Sequence, residues 1–180
     1  MKKIQTVSRI LSLFFRVLCW VMPMVTSYLI LFHLSGLLEW GAFALIIPAV
    51  HVQDTVHFSF LHRLMILAVQ LLPLSITVSI CYKLANLFKL YEKGELFAES
   101  TIKLIRSISI YMILGEVIQL IYQPLITASL TFNNPPGQRI ASITLGSTNV
   151  STLITACIIL VASWIIKEAN QLKVEAQLTI

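Results

Sequence analysis

The sequence predicts an all-α membrane protein of four transmembrane helices, with both termini inside and a short cytoplasmic hinge between helices 2 and 3. Three observations predict it. Of the 180 residues, 57% are hydrophobic and 12% charged, whereas soluble domains run at about 45–50% apolar and roughly 25% charged. The apolar residues gather in four runs, approximately 17–38, 64–82, 108–130 and 146–166, each near the length of about 20 residues that crosses a bilayer as a helix. Eleven of the thirteen Lys and Arg residues fall in the N-terminal segment, the hinge and the tail, and cytoplasmic segments carry that excess. The net charge of +5 does not point to nucleic acid, because the basic residues flank apolar runs and do not line one polar face. Residues 1–180 read as a single integral domain.

The first 16 residues hold Lys2, Lys3, Arg9 and Arg16 and no acid. Residues 17–38 carry no formal charge and are too long for the apolar core of a signal peptide, so they read as a retained span, bent at Pro23. Residues 39–63 form an outer connection with His51, His57 and His62. Within it, 42–50 is apolar but too short to cross, an interfacial or re-entrant piece. Residues 52–60 fit a short extended segment or an interfacial helix equally well.

The second span, 64–82, holds Pro73 and runs on as a helix to about Tyr91, because Leu84, Leu87, Phe88 and Tyr91 keep a 3/4 spacing. Gly94 supplies a stop, and Glu99 or Ser100 a capped start for the next helix. The third span, 108–130, contains Glu116 and Pro124. Asn133-Asn134-Pro135-Pro136-Gly137 then marks an outer turn. The fourth span, 146–166, continues into a helical tail with Ile165, Ala169, Leu172 and Ala176 on one stripe.

Glu116 is the only acid inside a predicted span. A charge at mid-bilayer costs about 2.5–3.5 kcal/mol on insertion scales, so it should face protein or water. Ser109, Glu116, Gln119 and Gln123 share one helical face, an intramembrane polar stripe that is either an ion or proton site or a seam bonding neighbouring helices. Gln70 and Thr77 on the second span are placed to face it. Ser147, Ser151 and Thr155 repeat every four residues, a pattern that lets helices approach closely. Cys19, Cys81 and Cys157 show no C-x-x-C spacing and read as packing residues.

His51, Asp54 and His57 are weak metal candidates, since no zinc spacing such as H-E-x-x-H accompanies them and a solvated loop explains them as well. Nucleotide-binding and nucleophile-elbow motifs are lacking. No catalytic residue, no resident metal and no cofactor is expected, and the chain reads as a non-enzyme.

Leu90-Tyr91-Glu92-Lys93-Gly94-Glu95-Leu96-Phe97, followed by Lys103 and Arg106, resembles the central loop of the bacterial "domain of unknown function 2975" family, and the ending from Glu168 to Ile180 resembles that family's terminus. The resemblance implies a four-span protein of the bacterial inner membrane. By association it implies a regulatory role beside a small helix-turn-helix regulator, and it brings no catalytic residue. The sequence therefore points to a non-enzymatic signalling or partner-docking protein, with Gly94, Phe97, Lys103 and Arg106 as the docking hinge. The rival is a small homo-oligomeric transporter or channel using Glu116. Besides the lipid bilayer, the expected partners are a cytoplasmic protein and further copies of the chain.

Overall fold

The computed structural model describes residues 2–41, 43, 58–96, 98–144 and 146–178. Among these, every regular element is helical: α1 (Lys2–Phe32), α2 (Leu34–Glu39), α3 (Phe60–Glu92), α4 (Glu99–Leu130) and α5 (Ser147–Leu178). All but the six-residue α2 are long and apolar enough to cross a membrane. Their outward surfaces fit that environment. Leu13, Val17 and Trp20 on α1, and Ile154, Ile158 and Ile165 on α5, are all at least 51% exposed. Contiguous apolar surface on this scale is rare on soluble monomers.

Prolines 23, 73 and 124 lie inside α1, α3 and α4 and do not end them, as membrane helices tolerate. The first predicted span, 17–38, is not one continuous helix. α1 starts at Lys2 and ends at Phe32, and His33 leaves helical geometry at φ −127°, ψ 32° before α2 begins. The predicted run of the second helix on to about Tyr91 is borne out by α3, which ends at Glu92. The tail is helical to Leu178.

The chain forms two compact units: Met1–Trp20, Ile76–Leu114 and Ser147–Ile180 make the first, and Val21–Ser75 with Gly115–Gly146 the second. In the first, α1 and α3 run antiparallel. Arg9 Nε pairs with Glu92 Oε1 at 2.9 Å, Ser12 donates to the Ala85 carbonyl at 2.9 Å, the rings of Phe15 and Phe88 stack at 5.8 Å, and the Cys19 thiol donates to the Val78 carbonyl at 3.7 Å. α5 contributes a buried face through Ala156 and Ser163.

That face corrects the expected small-residue stripe by one position. Ser151 and Thr155 are exposed, and Thr155 turns its hydroxyl back to the Ser151 carbonyl. Cys81 is buried as expected, but Cys157 is exposed.

The second unit holds the main apolar core: Ile30, Leu34, Phe43, Phe58, Ile66, Tyr122, Ile126 and Leu130. Ile66, Ile126 and Leu130 have no exposed surface at all. Between helices that lipid would otherwise surround, such side chains stabilise by close packing and not by removal from water. α3 and α4 meet there in antiparallel register, with His62 Nε2 hydrogen-bonded to the Ser129 carbonyl at 2.7 Å.

Candidate functional site

The intramembrane stripe lies along α4. Ser109, in the first unit, is fully buried and donates to the Ile105 carbonyl one turn back at 3.2 Å. The remaining members belong to the second unit: Glu116 and Gln119 are half-buried and Gln123 is buried. Glu116 is engaged with a neighbouring group. Gln70 on α3 does face α4, where its Oε1 accepts the Tyr122 hydroxyl at 2.5 Å. Thr77 lies in the first unit.

Gln123 belongs to an arrangement that the stripe did not foretell. After α4 the chain turns at Pro135, where the Gln138 amide donates to the Pro135 carbonyl at 3.0 Å and Gly137 takes φ +93°. Residues 140–144 then return along α4 as non-helical chain. The Ile140 amide donates to Thr131 Oγ1 at 3.1 Å, the Ser142 amide to Thr127 Oγ1 at 3.1 Å and the Thr144 amide to Gln123 Oε1 at 2.6 Å. Every second residue of the segment meets every fourth residue of the helix.

The two periods match because four helical residues rise about 6.0 Å and two extended residues about 6.6 Å. Backbone amides outside regular structure need acceptors from protein or water, and α4 supplies them at the required spacing. Among the described residues no buried side-chain nitrogen or oxygen lacks a partner. Gln123 thus bonds a non-helical segment and not a neighbouring helix, and the i, i+4 spacing of Gln123, Thr127 and Thr131 was the signal that could have revealed the ladder.

Arg63 is the other polar group built into this unit. Its Nη1 donates to the Leu31 carbonyl at 2.7 Å and its Nε to the Phe58 carbonyl at 3.2 Å. Leu31 is in the last turn of α1, where carbonyls lack intrahelical partners and a cation is favoured by the helix dipole.

The hinge of the first unit is a complete Schellman turn. The Glu95 amide donates to the Leu90 carbonyl at 3.1 Å and the Gly94 amide to the Tyr91 carbonyl at 3.1 Å, with Gly94 at φ +84°. The fully buried Thr101 donates its hydroxyl to the Glu95 carbonyl at 2.6 Å and so ties the turn to the next helix.

α4 starts at Glu99 as expected, but neither Glu99 nor Ser100 is its cap. The Ala98 carbonyl accepts the first helical bond from Ile102 at 3.2 Å, which puts an alanine in the cap position. Glu99 instead pairs with Lys103 at 2.8 Å. Arg106 is exposed. Phe97, like His51, Asp54 and His57, lies outside the described residues, and among the described ones no group of three His, Cys, Asp or Glu side chains is placed to hold a metal.

The Schellman turn rests on the same Leu90–Glu95 residues that carried the family resemblance. A family model described as "Protein of unknown function (DUF2975)" matches residues 13–180. The chain belongs to this family. The DUF2975 match takes in α1 from residue 13 on, the other three long helices, the ladder and the hinge. No curated protein and no solved structure matches the chain.

Proposed function

We propose that this DUF2975 chain is a non-enzymatic protein of the bacterial inner membrane, with both termini and the hinge in the cytoplasm, that docks a cytoplasmic protein through its hinge and tail. The observation that carries the reading is the build of the hinge end of the first unit. Glu92 and Glu99 are engaged by Arg9 and Lys103, while Lys89, Lys93 and Arg106 remain exposed beside a turn that Gly94 and Thr101 hold rigid.

The tail adds an apolar element. α5 has 32 residues, more than the roughly 20 that cross a bilayer, so its last turns project beyond the membrane. Leu172, 59% exposed, and Ala169 lie on a stripe there, and such a stripe in water gains by being covered. A partner with an acidic rim around an apolar groove fits both features. A small regulator of the helix-turn-helix class, as the family association implies, is the candidate for that role.

The test is site-specific photo-crosslinking in cells, with the probe at Arg106, at Leu172 and, as a lipid-facing control, at Val150. A discrete protein adduct is expected at Arg106 and Leu172 and not at Val150. Identical profiles at all three positions would refute docking.

A second reading, an oligomeric transporter centred on Glu116, is favoured by the half-burial of that acid midway along α4. It requires E116Q to abolish ion or proton flux in liposomes, whereas the docking reading expects no flux to lose.

A further inference from the structure

We infer that Cys19 on α1 and Cys81 on α3 form a dithiol site at which a peroxide makes a disulfide across the α1/α3 seam. The inference goes beyond the docking reading and rests only on the contact between these two helices within the first unit.

Four residues of α3 touch α1: Val78, Ala85, Phe88 and Glu92. With Cys81 they recur at steps of 3, 4, 3 and 4, the spacing of one helical face. Cys81 therefore lies inside the seam, and only 8% of it is exposed. On α1, Cys19 is itself one of the touching residues.

The two thiols also share a level. A helical carbonyl points toward the amide four residues on, so the Val78 carbonyl points toward the turn that holds Cys81. The Cys19 thiol donates to that carbonyl at 3.7 Å and stands beside the same turn. The two sulfur groups are close enough to act on each other electrostatically. The helices are also near enough for a covalent link. A disulfide needs Cα atoms about 4.4–6.8 Å apart, and here the short side chains of Ser12 and Cys19 reach the backbone of α3 directly.

Unequal exposure sets the order of events. Cys19 is half-buried and Cys81 buried, so a small uncharged peroxide meets Cys19 first. The Cys19 thiolate attacks one peroxide oxygen. The O–O bond breaks, a sulfenic acid forms, and the departing hydroxide takes up the thiol's proton as water. Cys81 then loses its proton and attacks the Cys19 sulfur. The S–S bond forms, the S–OH bond breaks, and a second water leaves. The two sulfurs are oxidised and the peroxide oxygens reduced, so two thiols and one peroxide give one disulfide and two waters. An accessible thiol beside a resolving one is the arrangement of redox sensors. The bond fixes the N-terminal segment to the helix that leads into the hinge.

The experiment uses the full chain in membrane vesicles. The vesicles are treated with hydrogen peroxide and denatured, free thiols are alkylated, and the chain is digested without reductant for mass spectrometry. The unaltered chain should yield a linked peptide pair joining residues 19 and 81 that separates when reductant is added. C157S should give the same link, because Cys157 on α5 takes no part in it. C19S and C81S should lose it.

C19S/W20C moves the thiol by one residue, to a position where the native side chain is 74% exposed, and should form no link to Cys81. Absence of the 19–81 link in the unaltered chain would overturn the site. So would an equally fast link in C19S/W20C, or recovery of Cys19 as its sulfinic acid with Cys81 still a free thiol.

Discussion

Gly94 is a position where the lack of a side chain permits the local backbone. At φ +84° an added Cβ would meet no atom within 4 Å, so the cost of Gly94→Ala is conformational alone, about 1–2 kcal/mol. Thermal unfolding in detergent should show that loss, and hydrogen exchange should show faster exchange at the Glu95 amide, whose bond to Leu90 closes the turn. Arg63 acts at the other end of the molecule's chemistry, as a charged donor to two carbonyls. Hydrogen bonds of that kind contribute about 1.5–3 kcal/mol. Arg63→Met, which keeps the apolar stem, should therefore destabilise by about that much, and Arg63→Lys by less, because lysine keeps a charged donor although it lacks the planar fork that serves both carbonyls. Equal stability of R63M and the unaltered chain would show that the carbonyls are satisfied by water.

At the scale of elements, the ladder between α4 and residues 140–144 makes a sharper claim. The amides of Ile140, Ser142 and Thr144 should exchange slowly although they lie in no helix, while those of Ala141 and Ile143 should exchange faster. Thr127→Val keeps the side-chain shape but removes the oxygen that accepts from Ser142. Leaving that amide unsatisfied should cost about 1–3 kcal/mol and raise exchange at Ser142 first.

The sequence showed the helices well because their apolar runs are long and their ends are marked by charge and by Gly94. It did not show the ladder, since Gln123 groups with Ser109, Glu116 and Gln119 on a polar stripe that leaves Thr127 and Thr131 out. It also misplaced the small-residue face of α5. Thr155 satisfies its hydroxyl within its own helix, and such back-bonding leaves no sequence trace to separate it from the buried Ala156 and Ser163. The break at His33 was hidden because the run is uncharged on both sides of it and its partner, Arg63, is 32 residues from Leu31.

For the whole molecule, the distribution of charge over the two units carries the claim to function. Eleven Lys and Arg residues fall in the first unit, and Arg63 and Arg139 in the second. Arg63 and Arg139 both donate to backbone carbonyls, Arg139 to that of Asn134 at 3.0 Å, so they serve the fold. The first unit's exposed cations are available to a partner or a lipid surface. All of this requires the hinge to be cytoplasmic, which cysteine labelling tests directly. In a background lacking Cys19, Cys81 and Cys157, single cysteines at the exposed positions Lys93 and Gln138 are treated on intact cells with a membrane-impermeant maleimide. A cytoplasmic hinge predicts labelling of Q138C in intact cells and of K93C only after permeabilisation; labelling of K93C in intact cells, with Q138C protected, would contradict it.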